Sequence, residues 1–131
     1  MKRPRIAAVV TEYRRYSHAQ HILDRYLFGY SWNGRHHIPG IDLVSLYTDQ
    51  QPDGELSRSR SALRPQMKIY PTIAEALTCG GEKLAVDGVL LIGEHGNYPF
   101  NEKGQHLYPR YEFYKPITDA SRLRGRSVPV F

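Results

Sequence analysis

Cysteine is almost missing from this chain: Cys79 stands alone among 131 residues. A single thiol excludes an internal disulfide and any zinc site built from cysteines, and it suits a reducing, cytoplasmic setting. Long apolar runs are missing as well. None approaches the roughly 18 residues that a bilayer span requires, and no secretory h-region follows Met1-Lys2-Arg3. Concentrated charge is the third absence. The net charge of +5 and the pI of 9.4 arise from scattered residues, which favours a small acidic partner over nucleic acid or a membrane surface. The tract "SRSRS", Ser57 to Ser61, is too short for an RNA-binding arm and reads as a solvated helix face. With a 40% hydrophobic share, residues 1–131 can bury one core and form a single domain.

Ile6 to Val10 is a continuous apolar run of the kind expected for a strand covered on both faces. Ser17 follows as an N-cap with Gln20 three residues on. Ala19, Ile22, Leu23, Tyr26 and Leu27 then recur at helical spacing, and Gly29 is placed to end the helix. Gly29 to Gly40 is broken by Gly, Pro and Asn and reads as a long loop. Ile41–Thr48 is rich in β-formers and predicts a second strand. Pro52 is placed to open a helix that Arg64-Pro65 ends. Met67–Tyr70 predicts a short third strand, after which Thr72 and Glu75 form a second capping pair with Ile73, Ala76 and Leu77 as the apolar face. Asp87–Gly93 predicts a fourth buried strand. Leu107–Leu123 predicts a helix interrupted at Pro116, and Ser127–Phe131 a last strand.

Strands alternating with helices imply an α/β fold with a parallel, Rossmann-like sheet flanked by helices. Ligands of such sheets bind beyond the carboxyl ends of the strands. That places the candidate site on three segments: Thr11, Glu12, Arg14 and Arg15 after the first strand, Thr48 and Asp49 at the end of the second, and Gly93, Glu94, His95 and Asn97 after the fourth. Because Val128, Val130 and Phe131 end the chain on apolar residues, the expectation is a longer protein of which this is the first part. Homo-oligomer formation stays open.

The segments "RIAAVV", "IDLVSLYTD", "KIYPTIAEAL", "DGVLLIGEHGNYP" and "GRSVPVF" together resemble the N-terminal half of the glucose–fructose oxidoreductase and inositol dehydrogenase family. The resemblance implies NAD or NADP as cofactor, a sugar or polyol as substrate, and a second α+β domain beyond residue 131. The family's proton-carrying residues would lie in that second half. The departures fall where a cofactor would sit. Thr11 to His18 contains no glycine, although a glycine-rich turn is what lets backbone approach a pyrophosphate. The acidic residue expected on the ribose hydroxyls aligns with Thr48, with Asp49 one position late and so pointing elsewhere. A non-catalytic binding or scaffold protein that keeps the sheet without the dinucleotide is therefore the rival expectation.

Individual residues allow two readings each. Arg14 and Arg15 stand beside free helix N–H groups, as a phosphate or carboxylate ligand would require, or are solvated surface arginines. Glu12 could pair with either. His95 could exchange protons near neutral pH, or "GEHGN" could be a plain turn. His18 and His21 are three apart on one helix and His36-His37 adjoin, yet no metal motif appears and no metal is expected. Tyr98, Tyr108, Tyr111 and Tyr114 suggest a docking surface for a further domain or subunit, or a stacking site for a sugar-like ligand.

Overall fold

Helix-competent segments separate every pair of buried strands, and the chain folds accordingly. The computed structural model describes residues 1–131. It runs β1 (Arg5–Val10), α1 (His18–Phe28), β2 (Tyr30–Trp32), β3 (Arg35–His37), β4 (Asp42–Thr48), α2 (Ser57–Leu63), β5 (Lys68–Ile69), α3 (Ile73–Thr78), β6 (Gly88–Ile92) and α4 (Arg110–Leu123). Four strands form one parallel sheet in the order β5-β4-β1-β6. The fold is α/β, with helices on both faces of the sheet.

Strand β1 divides the interior. Its even residues Ile6, Ala8 and Val10 join Ala19, Leu23 and Leu27 of α1 in one buried cluster. Its odd residues Ala7 and Val9 join Ile73 and Leu77 of α3 and Phe113 and Ile117 of α4 in the other. The period-2 alternation of a strand accounts for this split. From β1 the chain builds outward through β4 to β5, then returns past β1 to lay down β6 on its other side. In sheets of this kind such a reversal marks the ligand crevice, here beyond the carboxyl ends of β1 and β6.

Ser17 caps α1 as its sequence position requires, its hydroxyl accepting from Gln20 N at 3.2 Å. The Gln20 carboxamide reaches back to Tyr16 N rather than to Ser17 N. Thr72 caps α3 in the same manner, accepting from Glu75 N at 3.1 Å. Beyond β6, Val128–Phe131 lies parallel to its edge, with Leu91 N donating to Phe131 O at 2.7 Å and Phe131 N to Val89 O at 3.0 Å.

Three sequence expectations need correction. Residues 29–40 are not a loop throughout: β2 and β3 pair antiparallel as a hairpin. Its turn is Asn33-Gly34, both at positive φ (49° and 70°), the two-residue turn whose twist matches the flanking strands. Both strands are solvent-exposed, so no hydrophobic alternation marked them. Pro52 does not open α2, which begins at Ser57; Pro52 to Glu55 forms a turn instead, and the Glu55 carboxylate accepts from Ser57 N at 2.8 Å. Finally, α4 runs unbroken through Pro116. The carbonyl that the proline leaves without a donor belongs to Glu112, which is exposed and open to water.

One buried polar group ties the two helices of the first face together. The Tyr13 hydroxyl, wholly buried, donates to Asp24 of α1. Arg60 of α2 grips the same carboxylate through two bonds of 2.9 and 2.8 Å. Burial, then the Asp24 hydrogen bond, pushes the Tyr13 phenol well above its ordinary range. Tyr13→Phe removes one bond and leaves Asp24 bound by Arg60, so a loss of about 1 kcal/mol is expected. Asp24→Ala strands a half-buried guanidinium and a buried hydroxyl together and should cost roughly 3 kcal/mol. Urea unfolding of the two variants checks the ordering, and equal losses would contradict it.

Asp87, just before β6, accepts from Arg5 N at 2.9 Å and pairs with Arg126 at 3.0 Å. The backbone donor first, and the Arg126 guanidinium with it, hold its carboxyl below the usual carboxylate value of 3.8. A depressed acid contributes stability at neutral pH that disappears as pH falls from about 3.8 through the folded value. Asp87→Asn should flatten that part of the acid limb in melting curves recorded between about pH 5 and 2.

Candidate functional site

The carboxyl ends of β1, β4 and β6 meet in one hydrogen-bonded cluster. Thr11, buried at the end of β1, donates its hydroxyl to the Glu94 carbonyl after β6. Its own carbonyl accepts from Gln50 N at 2.8 Å, and the Val10 carbonyl accepts from Asp49 N at 3.0 Å. Gln50 in turn spans to the β6 loop, its side chain accepting from Asn97 N (2.8 Å) and donating to Asn97 O (2.9 Å). Thr11, Thr48, Asp49, Gly93, Glu94, His95 and Asn97 are therefore drawn together at the strand ends. Asn97 takes part through its backbone. Thr48 contributes only a local bond to Gln50 O at 3.0 Å.

The turn between β1 and α1 holds mostly itself. Glu12 is 4% exposed and its carboxylate is taken by Arg14. Tyr13 turns into the core, and the backbone at Tyr13 and Arg14 is drawn toward residues 55–56, with Leu56 N donating to Tyr13 O at 2.7 Å. Arg14 is thus already neutralised. Arg15 is the one cation of the turn with no acidic partner; it is exposed and lies over the Tyr16 ring at 4.7 Å. Capping leaves the N–H groups of His18 and Ala19 without an acceptor.

Asp49 has both carboxylate oxygens engaged. The Tyr98 hydroxyl donates to one at 2.6 Å and the Tyr47 hydroxyl to the other at 2.8 Å. Burial and the Asp49 hydrogen bond push the Tyr47 phenol up to about 12 and raise that of Tyr98 further. Beside Asp49 an open groove of about 510 Å³ runs between the ends of β4 and β5 and the first turns of α4, lined by Tyr47, Thr72, Ile73, Glu112, Phe113 and Pro116.

His95 and His18 face each other across the crevice, Nδ1 of His18 lying 2.7 Å from Nε2 of His95. His95 sits at φ 67°, a left-handed conformation uncommon outside glycine. Desolvation first, then the neighbouring His18 and Arg14 charges, lower the His95 pKa from its ordinary value, against the pull of Glu12 and Glu94. Glu94 is bound by Arg110 of α4, whose side chain crosses Gly93 so closely that a Cβ there would meet it at 2.8 Å.

Several site residues escape a reading of the sequence alone. His18 pairs with His95, 77 positions away, and not with His21 on its own helix. Gln50, Tyr47 and Arg110 act across strand ends that only the sheet order makes adjacent. The four late tyrosines do not form one patch: Tyr98 and Tyr108 pack edge to face at 6.1 Å beside the site, whereas Tyr111 and Tyr114 lie exposed on α4. No family model, curated protein or solved structure matches the chain.

Asp49→Asn weakens an acceptor shared by two phenols. A larger fraction of the tyrosines should then ionise below about pH 12 in alkaline spectrophotometric titration, because the Asp49 hydrogen bonds that hold Tyr47 and Tyr98 up are weakened while burial remains. An unchanged titration curve would show that burial alone sets both phenols.

Proposed function

We propose that this chain is the Rossmann-like ligand-binding domain of an oxidoreductase-like protein, related to the glucose–fructose oxidoreductase and inositol dehydrogenase family, whose crevice takes a small anionic or sugar-like molecule in place of a pyrophosphate bridge. The parallel order β5-β4-β1-β6 and its crevice support the Rossmann-like part. One observation carries the rest. The turn after β1 fills its own cradle with Glu12, Arg14 and Tyr13, while Arg15 and the free N–H groups of His18 and Ala19 remain at its outer rim. An anion there meets a guanidinium and a helix N-terminus without needing backbone approach.

The residues present do not fit NAD or NADP held in the ordinary way. No glycine opens the turn to a pyrophosphate, and Asp49 has both oxygens occupied by tyrosines instead of facing a ribose. A second reading keeps NAD or NADP in an altered mode, with a sugar or polyol as substrate. It is favoured by the 510 Å³ groove beside Asp49, which has the size of a small-molecule site.

Calorimetric titration with NAD, NADP, inorganic phosphate and a hexuronate separates the two. Phosphate or hexuronate binding that weakens about tenfold in Arg15→Ala is expected, the loss of one charge-assisted hydrogen bond. Micromolar NAD binding indifferent to Arg15→Ala would overturn the anion reading in favour of the cofactor.

A further inference from the structure

We infer that the cleft between α1 and the root of the β2–β3 hairpin is a separate ligand site, suited to a small aromatic carboxylate. It encloses about 390 Å³, within the range of small-molecule sites. Ile22 and Tyr26 of α1 form one wall, and Tyr30, Pro39 and Ile41 form the other. Helical spacing accounts for the first wall. Ala19, Leu23 and Leu27 occupy the stripe that faces the sheet, so Ile22 and Tyr26, four apart, are left on its flank. Ile22 stays 37% exposed and Tyr26 is only half-buried.

The second wall is fixed in place by three contacts. Gly29 leaves α1 at φ 82° and lies so close to the hairpin that a Cβ there would collide with the His37 carbonyl. The Tyr30 ring stacks on His37 with centroids 5.6 Å apart. Arg3 donates to the Pro39 carbonyl at 2.6 Å while it pairs with Asp42. A cleft formed in advance costs little ordering entropy when a ligand enters it.

Its charge is unbalanced. His21 and Arg25 line the cleft from α1, and neither has an acidic partner. The two acids nearest in sequence are taken elsewhere, Asp24 by Tyr13 and Arg60 and Asp42 by Arg3. No Asp or Glu occurs from Arg25 to Ile41, and none lines the cleft. The Arg25 guanidinium can grip a carboxylate through two parallel bonds, and the His21 ring adds a further N–H donor. Between the walls, an aromatic body meets two tyrosine rings and aliphatic carbon. A compact anion leaves those walls unfilled, and a neutral ring leaves Arg25 unanswered. The cleft shares no residue with the strand-end crevice, so the inference stands apart from the function proposed above.

Calorimetry and amide chemical-shift mapping on the full chain test it with naphthoate. Naphthamide keeps the rings without the charge, and acetate keeps the charge without the rings. One naphthoate per chain with submillimolar affinity is expected, with shifts centred on His21–Tyr26 and Tyr30–Ile41. Naphthamide and acetate should bind at least about tenfold more weakly, as should naphthoate to Arg25→Gln, the loss of one charge-assisted contact. Glutamine keeps the helix propensity at that exposed position, and Arg35→Gln, on the hairpin but outside the cleft, should bind as the parent does. Affinity no tighter than millimolar would overturn the inference, as would naphthamide binding as tightly as naphthoate. So would binding that survives Arg25→Gln, or shifts centred on Arg15 and the start of α1, which would move the anion to the strand-end crevice.

Discussion

The burial of Tyr13 is the constraint on which the rest of the structure depends. Its ring fills the core on the α1 face of the sheet, and its hydroxyl meets the one carboxylate, Asp24, that Arg60 also holds. A phenol placed so deep cannot lose its partner cheaply. The turn leaving β1 must therefore dive inward at Tyr13 before α1 can begin at His18. In a dinucleotide-binding turn the helix starts almost at once and glycines keep the space open. Here the longer path brings Glu12 and Arg14 together and leaves Arg15 outside.

That path also decides what the strand ends can do. Thr11 is pinned across to Glu94, and Gln50 bridges the β4 and β6 loops. The crevice consequently has a hydrogen-bonded rim. Asp49 is locked by two tyrosines, His95 is held in a strained conformation facing His18, and Arg110 reaches over Gly93 to Glu94. Space for a ligand survives at one edge of this rim, in the groove under α4.

The sheet, its parallel sense and the main helices were legible in the residues because each rests on local patterning. Apolar runs such as Ile6–Val10 and caps such as Ser17 and Thr72 carry their meaning within a few positions. The hairpin around Asn33-Gly34 was overlooked since both its strands are exposed and show no alternation. Pro116 misled for a related reason. Its cost depends on whether water can reach one freed carbonyl, and exposure is not written in sequence order. The three candidate segments do lie at strand ends, but which side chains meet there was not legible.

The sequence by itself determined the four sheet strands, the main helices, the two-faced burial of β1 and the glycine-free turn, since these follow from chemistry spaced within a helical turn or a strand repeat. Only the tertiary structure decided that His18 answers His95, that Asp49 is consumed by Tyr47 and Tyr98, and that Arg14 is neutralised while Arg15 is not. Those outcomes turn on sheet order and on the direction taken by one turn. Both are set by long-range packing, chiefly the burial of Tyr13 against α1 and α2, which no local pattern encodes.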